Sequence, residues 1–354
     1  MNEDIKKSNI EAEIDAFREK YGCLAENFLN LKIKQDWHTA NEICFKHEGI
    51  RIRKFLGSRN QSPPVLIVYS HVNYPYVIDL TAQQSLVCRL IESGHKVFLV
   101  EWGLVNDKAR MRDLSVYVHD YLDNSIDFIL QQYNVDKVDL IGICQGGTFS
   151  LCYASLHPEK IRSLVTIVTP VDFQAGENII WKWSRKVDFT QLEQRPVNIP
   201  GEMITLLFQS LRPFEEIKRN IRLIQNSESI NKLKSTALVD QWVFECPDQP
   251  GKAFAQFMHQ FYQENKLVRG GLKLGEHVVN LLNIECPVLN LYATADHLVP
   301  PESACALKYH ISQDLYTEIS YDGGHIGLMI GDKAHRTILP QMAEWLINNQ
   351  KYCK

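Results

Sequence analysis

Between positions 138 and 158 the chain reads VDLIGICQGGTFSLCYASLHP. An apolar run of strand length gives way, almost at once, to a helical stretch. So abrupt a turn brings two backbones close together, and only glycine leaves room there. Gly142 and Gly146 stand two before and two after Cys144. The pattern predicts Cys144 at the apex of the turn, its side chain lifted above the strand ends. The N-terminus of the following helix carries a positive partial charge that favours a thiolate. The backbone N–H of Gln145 would face an oxyanion formed beside the sulfur. A chance match to G-x-C-x-G in a chain of this length arises roughly a few per cent of the time, so the motif alone is a modest signal. The competing reading is a buried structural thiol beside two helix-packing glycines.

The rest of the chain agrees with such a turn. Strands are expected at 65–73 (running into a loop), 95–102, 137–143 and 163–170. Helices are expected at 84–94, 115–134 and 145–157. This alternation predicts an α/β class, a mostly parallel central sheet flanked by helices on both faces. From about 173 to 285 the rhythm stops. Trp181, Trp183, Phe208, Trp242, Phe254, Phe257 and Tyr262 are scattered through helical periodicity, which predicts a largely helical insertion. The rhythm returns at 286–301 and 315–327, and the chain closes on an amphipathic helix at 338–350. The expected organisation is a helical N-terminal arm over 1–50, a core built from 51–172 and 286–354, and a cap over 173–285.

Two loops in the returning part carry the groups a cysteine nucleophile needs. Asp296 follows the strand VLNLYA, in TADHLVPP, and His325 follows LYTEISY, in DGGHIG. Open α/β sheets place their sites at such carboxyl ends. Nucleophile, acid and histidine in that chain order match the α/β-hydrolase fold. His325 is then the base for the thiol, and Asp296 orients and polarises it. Taken singly, Asp296 reads as well as a turn cap, and His325 as a loop histidine. Asp172, in TPVDF, is a rival acid because it follows the strand after the elbow. The loop YSHVNYPYV holds His71 and Asn73 and offers the Val72 backbone N–H as a second oxyanion donor. Asn73 and His297 are candidate pocket-lining residues.

Composition excludes other classes. A net charge of −4 leaves no basic field for nucleic acid. Nine cysteines occur without a C-x-x-C pair or metal-type spacing, so no metal site is expected and most read as small buried residues. Cys144 and Cys152 would stand about 12 Å apart along one helix, beyond disulfide reach. No apolar run approaches the length of a membrane span, and residues 1–20 lack a signal-peptide core. A cytoplasmic protein is expected.

With these pieces assembled, the sequence resembles the catalytic subunit of class III polyhydroxyalkanoate synthases, within the α/β-hydrolase superfamily. The resemblance spans nearly the whole chain. It is carried by VYSHVNYPYVIDL, VFLVEWG, LIGICQGGTFSL, SLHPEKIRSLVTIVTPVDF, NIPGEM, FYQENKLVRGG, ADHLVPP and GGHIG. It implies that Cys144 is the acylated cysteine, with Asp296 and His325 as the catalytic aspartate and histidine. It implies an (R)-3-hydroxyacyl-CoA substrate, chiefly 3-hydroxybutyryl-CoA, and a polyester product that grows at a granule surface. A non-catalytic partner subunit, homo- and hetero-oligomers, and no cofactor beyond the CoA thioester substrate follow from the same resemblance. The absence of a large N-terminal domain fits the two-subunit classes, and 173–285 matches the family's cap. Arg212, Lys218, Arg219 and Arg222 are weak phosphate candidates for which a charged helix face is the plainer reading. A thioesterase or esterase with a cysteine nucleophile needs the same three residues and is the alternative.

Overall fold

The computed structural model describes residues 36–57, 62–211 and 230–349, with isolated positions between 12 and 22 and at 221. Eight strands form one sheet: β1 (Asn41–His47), β2 (Ile50–Phe55), β3 (Pro64–Val68), β4 (Lys96–Trp102), β5 (Val138–Ile143), β6 (Ile161–Ile167), β7 (Val288–Ala293) and β8 (Tyr316–Tyr321). Their spatial order is β1-β2-β4-β3-β5-β6-β7-β8. The β1/β2 and β2/β4 pairs are antiparallel, and the other neighbours are parallel. The strand order reverses between β3 and β5, the crevice where sheets of this kind bind ligands.

Among the described residues, the α-helices of six residues or more are α1 (Leu86–Glu92), α2 (Leu122–Tyr133), α3 (Gln145–Leu156), α4 (Ile179–Ser184), α5 (Phe189–Gln194), α6 (Gly201–Leu211), α7 (Ile230–Phe244), α8 (Gly251–Phe257) and α9 (Asp332–Asn348). Strand side chains alternate between two cores. Leu66, Val68, Leu140 and Leu164 pack with Ile126 and Ile129 of α2 and Phe149 of α3. Val65, Ile67, Ile141 and Val165 pack with Val87 and Leu90 of α1 and Leu339 and Met342 of α9. Every residue of β3, β5 and β6 is buried, as in strands covered on both faces, and the polar Asp139 of β5 pairs with Arg162 of β6. Between β6 and β7 the described chain carries α4 to α8 and one small hairpin, Lys273–Leu274 with His277–Val278. No helix of the described residues is long and apolar enough to cross a membrane.

The helical arm expected over 1–50 fails at its carboxyl end. Residues 41–55 are a hairpin, with His47 paired to Ile50 across Glu48 and Gly49. Those two residues have φ of 42° and 112°, and left-handed geometry at both turn positions suits the twist of paired strands. The earlier part of that arm lies mostly outside the described residues. The strand expected at 163–170 ends at Ile167, because Val168 leaves strand geometry at φ 45°. The helix expected at 115–134 opens as a π-helical turn, Val116–Tyr121, before α2 begins.

Candidate active site

Cys144 joins β5 to α3 with φ 53° and ψ −124°. Holding a non-glycine residue there costs on the order of 1–3 kcal/mol and needs a surrounding that enforces it. The Cys144 N–H donates to the Ile167 carbonyl at 2.8 Å, and its own carbonyl accepts from the Gly147 N–H at 2.9 Å. A Cβ on Gly142 would meet Gly147 Cα at 2.4 Å, and one on Gly146 would meet the Val68 carbonyl oxygen at 2.2 Å. Both elbow glycines are therefore steric requirements of the turn. Cys144 is a half-buried free thiol that lines a cavity of about 790 Å³. Cys152, on the same helix, is sealed in the core, where burial pushes its thiol far up.

Asp296 and His325 converge from the loops after β7 and β8. Asp296 Oδ1 accepts the Leu298 and Val299 N–H groups at 2.8 and 2.9 Å, which leaves Oδ2 for His325 Nδ1 at 2.6 Å. The Ala295 N–H donates to the Gly323 carbonyl at 2.9 Å and ties the two loops together. Burial opposes a charge on His325. The Asp296 carboxylate and the Cys144 sulfur outweigh it, through their charges and through hydrogen bonds to both, and raise the imidazole pKa to about 10. His325 lines the cavity that Cys144 lines, so the structure brings Cys144, His325 and Asp296 together. Asp172 is engaged elsewhere. Its Oδ1 accepts from the Gln174 N–H, the Ala175 N–H and Asn265 Nδ2, at 2.9, 3.1 and 2.8 Å.

The loop after β3 differs from its expected role in detail. The Val72 N–H, expected to face an oxyanion, donates to Ser70 Oγ at 2.9 Å. The His71 ring is buried edge-on against Trp102, Tyr117 and Phe149, with centroids 4.4, 4.8 and 5.6 Å away. Burial lowers its pKa to about 3, so this histidine is neutral and no base. Asn73 lines the cavity and donates to the Trp242 carbonyl at 3.2 Å, tying the loop to α7. His297 is exposed and also lines the cavity. Gln145 opens α3, its backbone N–H at the first turn beside Cys144. Arg212, Lys218, Arg219 and Arg222 lie outside the described residues.

Tyr69 and Tyr262 went unassigned in the sequence. Both are buried, both line the cavity, and burial followed by the nearby Cys144 charge pushes both phenols up. Tyr69 follows β3 directly, a position the sequence marks. Tyr262 lies in a π-helical turn, Met258–Gln263, which shifts side chains off the α-helical register and leaves no periodicity to read.

A family model described as alpha/beta hydrolase fold matches residues 103–332. A poly(3-hydroxyalkanoate) polymerase subunit PhaC of Thiocystis violacea is 36% identical over 347 residues, covering 97% of this chain and 98% of that protein. The PhaC subunit of Allochromatium vinosum is 37% identical over 348 residues, with the same coverage of 97% and 98%. Among solved structures, a monoacylglycerol lipase of Paleococcus ferrophilus aligns with a TM-score of 0.55 at 16% identity, over 85% of this chain and 100% of that one. That likeness concerns the fold alone. By its match along nearly the whole length of these relatives, the chain belongs to the poly(3-hydroxyalkanoate) polymerase PhaC family, on an α/β-hydrolase fold.

Proposed function

We propose that this protein is an acyltransferase that polymerises (R)-3-hydroxyacyl-CoA, chiefly 3-hydroxybutyryl-CoA, into polyester with release of CoA. The chain is carried as a covalent thioester on Cys144. One observation carries the reading: Cys144 stands on a strained elbow at a cavity with many aromatic walls, beside the His325–Asp296 pair. The names of the relatives, poly(3-hydroxyalkanoate) polymerase subunits, support the substrate class.

In this mechanism His325 takes the Cys144 proton, and Asp296 stabilises the imidazolium that forms. The sulfur attacks the acyl carbonyl, and the oxyanion faces the Gln145 N–H at the start of α3. Collapse expels the CoA sulfur, which leaves with the proton from His325. Exchange of one thioester for another is nearly thermoneutral, so the acyl group stays activated. A 3-hydroxyl, deprotonated by His325, then attacks and forms an oxygen ester, and that step runs downhill. A serine would discharge the activation one step early. Hydrolysis must lose for a polymer to grow. The segment 173–285 acts as a cap, and its Trp183, Phe254, Phe257 and Tyr262 line the cavity and keep water out.

The word subunit in the relatives' names favours a non-catalytic partner, as in the two-subunit synthase classes. Action in the cytoplasm at the surface of polyester granules, with no cofactor, belongs to the same reading. The test is incubation with 3-hydroxybutyryl-CoA, with and without a candidate partner subunit. Free CoA with insoluble polyester is expected. Free CoA with 3-hydroxybutyrate in place of polymer would identify a thioesterase instead. A Cys144→Ala variant that still makes polymer would sink the mechanism.

A further inference from the structure

The Val72 N–H is already engaged by Ser70 Oγ, so the loop after β3 has one oxyanion donor fewer than expected. The side chain next to Cys144 offers another. Gln145 Oε1 accepts the His71 backbone N–H at 3.1 Å. A backbone N–H can only donate, so this bond fixes which end of the carboxamide is oxygen. The Nε2 end is turned the other way. It donates to no acceptor among the described residues, and it is not one of the unpaired polar atoms sealed from solvent. Gln145 is only 9% exposed and lines the cavity with Cys144. An oriented amide donor therefore opens on the cavity one residue from the sulfur.

Its orientation is held from several sides. Gln249 Nε2 donates to the His71 carbonyl at 2.9 Å and to the Pro247 carbonyl at 2.9 Å. The Gln249 backbone pairs with Ile199 in both directions, at 3.0 and 2.8 Å. The His71 N–H is thus pinned by the elbow, its carbonyl by the segment between β6 and β7, and its ring by three aromatic neighbours. A donor fixed in this way needs little reorganisation when charge develops.

We propose that Gln145 Nε2–H is a catalytic hydrogen-bond donor to the acyl carbonyl oxygen, acting beside the Gln145 backbone N–H. The proposal rests on the acyl-transfer reading above. As the Cys144 Sγ–carbon bond forms, the carbonyl π pair moves onto oxygen and the thiol proton passes to His325. When that pair returns, the carbon–sulfur bond to CoA breaks and the CoA sulfur takes the proton from His325. Nε2–H binds the oxygen most strongly while it carries the charge, which is what lowers the barrier.

Gln145→Met removes both ends of the carboxamide. Gln145→Glu keeps an acceptor for the His71 N–H but, ionised, has no donor. Two quantities are read in the full chain at pH 8: first-turnover CoA release, and the infrared stretch of a 13C-labelled acyl carbonyl on Cys144. First-turnover release is expected to fall about 10²-fold in both variants with KM nearly unchanged. The carbonyl stretch should rise in both, since less polarised carbonyls vibrate faster. A purely structural link to His71 makes Gln145→Glu behave as wild type and leaves the stretch in place, and either result overturns the proposal. If Gln145→Met does not fold, the spectrum of Gln145→Glu decides alone. A wild-type chain that never acylates Cys144 overturns the acyl-transfer reading itself, so the two failures are distinguishable.

Discussion

The loops after β3 and β8 each bury a histidine to the same depth, 7% exposed, and shift the two pKa values in opposite directions. His71 lies among three aromatic rings, its Nε2 is buried without a hydrogen-bond partner, and burial lowers its pKa to about 3. Burial opposes the cation on His325 too, but Asp296 and Cys144 raise its pKa to about 10. Desolvation acts against the cation in both loops, so the difference lies in the partners. Depth alone does not set the direction of a histidine's shift.

The largest expected effect sets the two residues against each other. His325→Gln should slow first-turnover CoA release by about 10²–10⁴-fold, the usual contribution of a positioned general base. His71→Phe keeps a planar ring in the aromatic box and discards an unpaired nitrogen. It should cost less than about tenfold, equivalent to about 1.4 kcal/mol. Comparable losses in a stopped-flow assay would break the comparison.

Asp296→Asn should convert the second environment into the first. With the carboxylate charge gone, burial becomes the stronger influence, and the His325 pKa should fall from its raised value. NMR titration of the imidazole reads this directly, and acyl transfer should drop by about 10²–10⁴-fold. An unchanged His325 titration would assign the raised pKa to Cys144 instead.

The smallest effect is on stability against pH, and its two limbs have opposite origins. His325 has a folded pKa above its ordinary 6.5. Its contribution is full below 6.5 and is lost as pH rises through about 10. His71 and His95 have folded values lowered from 6.5 to about 3 and about 4, burial being the first cause in each. Their contribution is full above 6.5 and is lost as pH falls toward those values. Melting temperature against pH should decline on both sides of neutrality. His71→Phe should flatten the acid limb and leave the alkaline limb alone, and a flattened alkaline limb would contradict the assignment.

The elbow and the two loops were legible because their signals are local. Gly142, Cys144 and Gly146 lie within five consecutive positions, and Asp296 and His325 each follow an apolar strand in chain order. The strand β1 falls inside the expected helical arm because it is an edge strand of half-buried and exposed residues, with no clean alternation to betray it. Asp172 and Asp296 both follow strands, and sequence could only rank them. Three donors occupy Asp172 Oδ1, whereas Asp296 keeps Oδ2 for His325. The carboxamide of Gln145 carried no readable signal, since its partner His71 lies 74 positions away.

The amino-acid sequence by itself determined the parallel strands, the sharp turn at Cys144 and the order of the three candidate site residues. Apolar periodicity and glycine act on the few residues around them, so these features need no knowledge of the fold. The tertiary structure alone decided the charges and the donors. The β3–β5 adjacency lays His71 against Gln145, and the β7–β8 adjacency lays His325 against Asp296. Proton affinity and hydrogen-bond direction depend on dielectric and on neighbours across the sheet, and the chain acquires both only when it packs.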